Sequence, residues 1–235
     1  MELKIYKVKG SAFKEENSFK SFPLGKGDSS YSLGGMFRGF EDLYLGGNLY
    51  LIEKREDLDR FFNPLGSFFP NKKYYLSHPK KERNYLLESR VFHEYILKEQ
   101  IFEIATFLHI RFNLREFKVK ILEGENFFKE EGLGKEVFPF FKEEPVSLFY
   151  EEGALRIRWE EDFNKPSLDW EKDFLWPFEF ENLMDFVKLK GDDIDLKGES
   201  LSFKRDNSFG LSKKIGGRIG VKEEVLKEYI FIISF

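Results

Sequence analysis

The sequence predicts an α+β fold: a mostly antiparallel sheet packed on one long central helix, with short additional helices, in a single domain spanning residues 1–235. Three observations predict it. Residues 82–110, ERNYLLESRVFHEYILKEQIFEIATFLHI, contain no Gly or Pro and few β-branched side chains, which favours helix over strand. Short segments with a two-residue period (LKIYKV, FKVKIL, ALRIRW) occur on both sides of that helix, which is the strand signature. Core material is plentiful, because aromatics make up 18% of the chain and 29 residues are Phe.

At 100° per residue, Leu86, Leu87, Leu97, Ile101, Ile104, Ala105 and Leu108 share one apolar stripe on the expected helix. The sheet is expected to pack there. Arg90, His93 and Glu94 project onto the middle of the stripe. Either the helix bends or restarts near Ser89, an acceptable N-cap, or the polar groups sit at the rim with partners. The functional alternative pairs Arg90 with Glu94, four residues apart, and leaves His93 for proton transfer or a metal.

Taken in order, Leu3–Val8 reads as a strand and residues 10–30 as a polar loop. Leu33-Gly34-Gly35 and Leu45-Gly46-Gly47 suit hairpin turns, since Gly accepts positive φ. Leu49–Ile52 is a strand, and Glu56–Phe62 a short helix stopped before Pro64. A loop with an extended Tyr74-Tyr75-Leu76 piece leads to the long helix, with Ser77 or Asn84 as cap. Phe117–Leu122 is the next strand. A subdivision of the domain is placed near 123–145, where Gly and Pro break the pattern. Residues 147–150 and 154–159 form a hairpin, and 178–189 is either a helix or a strand pair. Amphipathic strands are expected between Asp192 and Val221, then a short helix over 222–229. The final apolar strand, IFIISF, belongs in a central or covered position, because a bare edge of that kind aggregates.

Composition narrows the function. With no Cys there is no disulfide framework, thiolate zinc site or cysteine nucleophile. No run of 18 apolar residues exists, and MELKIYKVKG has no signal-peptide core. A cytoplasmic location is therefore expected. One Gln and one Thr beside many Lys and Glu suggest a thermophilic source. The net charge of -4 is unevenly spread: residues 1–120 hold 21 Lys and Arg against 16 Asp and Glu, and residues 121–235 hold 17 against 26. The basic residues Lys72, Lys73, Lys80, Lys81 and Arg83 read either as a solvated face or as a patch for an anion or an anionic lipid surface.

No metal site is expected. His93 and His109 would lie about 24 Å apart on one helix, too far to share an ion. Neither Gly pair makes a dinucleotide loop, and no phosphate-binding loop or HExxH is present, so no cofactor is expected. Asp169, Glu171 and Lys172 have the residue types of a divalent-metal nuclease, which needs hard oxygen ligands and a cation near the attacking water. Gly217-Arg218-Ile219-Gly220 resembles the Gly-x-x-Gly loop of KH domains, where Gly217, Arg218 and Gly220 would grip nucleic-acid backbone. The helix that precedes that loop in the family is not predicted here, so a hairpin turn is the expected role and nucleic acid is not an expected partner.

The resulting expectation is a non-enzymatic binding or assembly protein working through protein–protein contacts or self-association, with no small-molecule ligand inferable. The alternatives are a membrane-active protein using C-terminal β-hairpins, and a metal-dependent nuclease.

Overall fold

The structure, a computed structural model, describes residues 3–13, 49–70, 73–81, 84–112, 116–122, 146–151, 154–159, 174–190, 198–206, 208–221 and 228–234. It is α+β, with two sheets where one was expected. Contacts gather the chain into two compact units: Met1–Phe92 with Phe209–Glu223, and His93–Ser208 with Glu224–Phe235. The subdivision expected near 123–145 lies outside the described residues, as do both Gly pairs before Leu49.

The first unit holds a four-stranded sheet of order β2-β1-β3-β4, made by β1 (Ile5–Val8), β2 (Leu49–Ile52), β3 (Tyr74–Ser77) and β4 (Leu86–Glu88). β1 runs parallel to β2, with Ile5 opposite Leu49, and antiparallel to β3, with Ile5 opposite Leu76. This register puts Tyr6, Val8, Ile52, Tyr75 and Leu86 on one face. There they form a core with Ala12 and Leu58, and Phe61 and Phe68 pack against it. Ala12 comes from a 3₁₀ turn, Gly10–Phe13, and Leu58 from the one-turn helix α1, Arg55–Leu58. The helix expected over 56–62 is thus cut short: Phe62 instead bridges to Tyr85 beside β4.

The long helix is also shorter than expected. Leu86–Glu88 is strand β4, paired with β3 through Leu76↔Leu87, and the helix α2 spans Phe92–Phe112. Leu86 and Leu87 are both fully buried although they point to opposite faces of β4. A strand covered on both sides presents consecutive apolar residues, and over three residues that cannot be told from a helical stripe. Ser77, Asn84 and Ser89 therefore cap no long helix.

The second unit carries a five-stranded antiparallel sheet of order β6-β7-β5-β9-β8. Its strands are β5 (Glu116–Leu122), β6 (Val146–Glu151), β7 (Ala154–Trp159), β8 (Ser200–Asp206) and β9 (Glu228–Ser234). β6 and β7 form the expected hairpin, and β9 lies between β5 and β8, the covered position expected of IFIISF. In β8, Leu201 and Phe203 are buried while Ser200, Ser202 and Lys204 are exposed, as the alternation requires. Residues 181–190 settle as helix α3.

Within this unit α2 is buried on several sides. Phe102 and His109, seven residues apart, face Trp159 of β7, and His109 stacks on its indole at 4.6 Å. Glu99, Glu103 and Phe107 form another row. The Glu99 carboxylate accepts from the Trp176 indole N–H at 3.0 Å, and Glu103 accepts the backbone N–H groups of Leu175 and Trp176 at 2.7 and 2.9 Å. Phe107 meets Phe174 edge-on at 5.7 Å. The expected stripe residues Leu97, Ile101, Ile104 and Leu108 are buried as well. The carboxylates are tolerable here because each has donors.

Residues 213–219, expected as extended chain or a hairpin turn, are helix α4 (Lys213–Ile219) of the first unit. Ser212 caps it by accepting the Ile215 N–H, and Gly220 closes it in the left-handed region at φ 83°. Of the helix expected over 222–229, residues 222–227 lie outside the described residues, and Glu228 and Tyr229 belong to β9.

Candidate functional site

Three segments far apart in sequence meet in the first unit: the start of β3, the end of β4, and the C-terminus of α4. They enclose a cleft of about 100 Å³ whose walls include Lys73, Glu88, Ser89, Arg90, Arg218 and Gly220. Its geometry follows from the end of α4. A helix leaves its last carbonyls without intrahelical partners. Here Gly220 N–H bonds back to Gly216 and Gly217, Val221 N–H reaches Gly216 O at 2.9 Å, and the buried Ser89 hydroxyl donates to Ile219 O.

Gly220 is required twice over. Its φ is one that side-chain-bearing residues avoid, and a Cβ there would stand 3.3 Å from Arg90 Cγ and 3.4 Å from Arg90 Nε. Without a side chain at 220, the Arg90 stem lies flat on the backbone. On the opposite wall the Lys73 ammonium pairs with Glu88 at 2.5 Å and stands 4.3 Å over the Phe69 ring. The neighbouring Tyr75 hydroxyl is held above its ordinary pKa by burial. The Phe69 N–H that donates to it at 2.8 Å works the other way, and the Glu88 charge adds to the rise.

Beside Lys73 lies a tight turn. Asn63 Oδ1 accepts from Leu65 N–H at 3.1 Å, Asn63 O accepts from Gly66 N–H at 3.2 Å, and Gly66 takes φ 115°. The turn holds Phe62, Leu65 and Phe69 exposed at 54%, 44% and 47%. Phe62 packs on Tyr85 at 5.2 Å, and Lys81 stands over that ring at 4.5 Å.

The sequence candidates separate accordingly. Lys73, Arg90, Arg218 and Gly220 come together in the cleft, although the sequence offered them as three unrelated features. Gly217 is exposed on α4 with open space around it. Lys80 and Lys81 lie on a different turn, where both backbone N–H groups donate to His78 Nδ1 at 3.1 and 2.9 Å. Lys72 and Arg83 lie outside the described residues, as do Asp169, Glu171 and Lys172.

The functional alternative had paired Arg90 with Glu94. Arg90 precedes α2, and Glu94 pairs with the buried Lys98 instead. His93 is buried at the start of α2. Among the described residues no three His, Asp or Glu side chains gather as a metal site, and no helix is long and apolar enough to cross a membrane. Sequence reasoning gave Glu88 and the 62–69 turn no functional role and read Ser89 only as a helix cap. The signal for the turn was present in Phe-Phe-Asn-Pro-Leu-Gly-Ser-Phe-Phe, where an Asn-Pro-x-Gly turn is flanked by apolar residues. No known protein family, no curated protein and no solved structure matches the chain.

Proposed function

We propose that this chain is a non-enzymatic binding protein that holds a protein partner, or a second copy of itself, on the aromatic turn of its first unit. One observation carries the reading: Phe62, Leu65 and Phe69 are exposed together on a turn whose backbone is already hydrogen-bonded. Singly exposed apolar residues are ordinary, but three around one turn form a patch. Large rings on a pre-ordered backbone lose little conformational freedom on binding, which is what makes aromatic anchors effective. Lys73 and Lys81, each over a ring, supply a polar rim. A reduced, cytoplasmic setting accords with the absence of Cys.

The test is site-specific photo-cross-linking in the cells of origin. A benzophenone side chain at Leu65 should give discrete adducts, of a partner or of the chain itself. The same group at Leu189, which is 83% exposed on α3, should give none. Equal labelling from both positions would remove the proposal. Lysine-rimmed aromatics also suit an anionic bilayer. Flotation with anionic vesicles, lost in Phe62→Ser/Phe69→Ser, would favour that reading instead.

A further inference from the structure

We infer that β8 is an acceptor strand: an extended peptide from a partner adds along its open edge, in a groove between β8 and the start of α3. β8 is the last strand of its sheet and, among the described residues, pairs only with β9, in an unbroken register from Ser200↔Ser234 to Asp206↔Glu228. Alternate residues of such a strand turn their N–H and C=O groups away from the sheet, where a further strand can take them. Beside β8 lies a groove of about 530 Å³, lined by Ser202, Phe203 and Lys204 on one side and by residues 179–182 on the other. That size falls inside the roughly 300–1,000 Å³ range of ligand pockets. Successive side chains of a strand point to opposite faces. Three successive residues of β8 line one groove because it runs along the strand edge and not over a face.

The groove is built before anything enters it. The Arg205 guanidinium donates to Glu179 Oε2 at 2.6 Å, tying β8 to the 3₁₀ turn Pro177–Glu179 that leads into α3. Phe180 packs on Phe203 with ring centroids 4.6 Å apart, and both rings are buried, so they floor the space between the walls. Fixed walls spare a ligand the cost of ordering them. The far wall also decides the occupant. It admits one extended chain beside β8, whereas a second copy offering its own β8 would bring its own 179–182 wall into the same space. The exposed Lys204 acts in the same direction, since charged side chains keep edges from pairing with their own kind. In strand addition main-chain hydrogen bonds supply affinity and side-chain pockets supply specificity. The peptide residue opposite Phe203 turns inward with it, so an apolar side chain belongs there, between polar neighbours that face water beside Ser202 and Lys204. Both walls belong to the second unit, so binding here is independent of the aromatic turn.

The test selects a phage-displayed random heptapeptide library on the full chain and measures the enriched peptides by fluorescence anisotropy. They should carry an apolar residue flanked by polar ones, and should shift the Ser202, Phe203 and Lys204 amides in a ¹⁵N spectrum. N-methylation at alternate peptide positions reads the mode of binding. On residues whose N–H faces β8 it should weaken binding about tenfold or more, and on the residues between them it should change little. Asn182→Trp, which puts a ring into the groove from an exposed position on the far wall, should abolish binding, while Phe62→Ser should leave it unchanged. Peptides that bind elsewhere, binding indifferent to the position of methylation, or no enrichment over repeated selections overturn the inference. So does a concentration-dependent dimer, seen by sedimentation, that Asn182→Trp dissolves, because it would put a second copy in the groove.

Discussion

Gly220→Ala is the sharpest probe of the cleft because two terms of opposite sign meet at one residue. Replacing Gly by Ala restricts the unfolded chain and on that account stabilises by about 0.4–1 kcal/mol. Against this, an L-residue at φ 83° costs roughly 1–2 kcal/mol. The new methyl also stands 3.3 Å from Arg90 Cγ, tight enough that the arginine stem must give by a few tenths of an ångström. Because that neighbour is flexible, backbone strain dominates, and the net is a destabilisation of about 1 kcal/mol. For a chain of this size that lowers Tm by roughly 2–4 °C.

The control is Gly217→Ala, three residues earlier inside α4, where a Cβ meets nothing within 4 Å. It should stabilise by about 0.5–1 kcal/mol. Gly220→Asn separates the two costs, since Asn tolerates the left-handed region yet still carries a Cβ toward Arg90. Urea melts followed by circular dichroism read all three variants. Refutation would be Gly220→Ala as stable as the wild type, or the two alanine variants moving the same way.

Three further perturbations test neighbouring parts of the account. Ser89→Ala removes the buried donor to Ile219 O and should cost about 1–3 kcal/mol, read by urea melts. Trp176→Phe takes the indole N–H from the buried Glu99 carboxylate and should cost about 1.5–3 kcal/mol, whereas Trp176→Phe in a Glu99→Gln background should cost less. In alkali the raised Tyr75 pKa sets the sign: the unfolded chain loses its phenol proton near pH 10 while the folded chain keeps it. Stability should therefore fall as pH rises from about 10 through the folded-state value, and Tyr75→Phe should remove that step from the melting profile.

Much of the fold was legible because its elements satisfy local and tertiary rules together. The alternation of β8 follows from a two-residue period that the sheet respects, the hairpin of β6 and β7 pairs as its turn predicts, and Leu49–Ile52 forms a strand from a short apolar run whose burial does not alternate. The errors have physical causes. Leu86-Leu87 projects well onto a helix, but pairing with β3 and burial on both faces outweigh propensity over so short a run. Gly216 and Gly217 argue against a helix, yet α4 forms because Ser212 and Gly220 supply both caps. The cleft was the least legible feature. Lys73, Arg90 and Arg218 each stood out in the sequence, but nothing local says that residue 220 returns to residue 90.

That return is also the most direct thing to measure. With Arg90 Cγ 3.3 Å from the position a Gly220 Cβ would take, a Gly220 α-proton lies against the Arg90 side chain. A NOESY spectrum should show a strong cross-peak between the Gly220 Hα pair and the Arg90 Hγ protons, across 130 residues of chain. Its absence from a spectrum that resolves both spin systems would contradict the cleft.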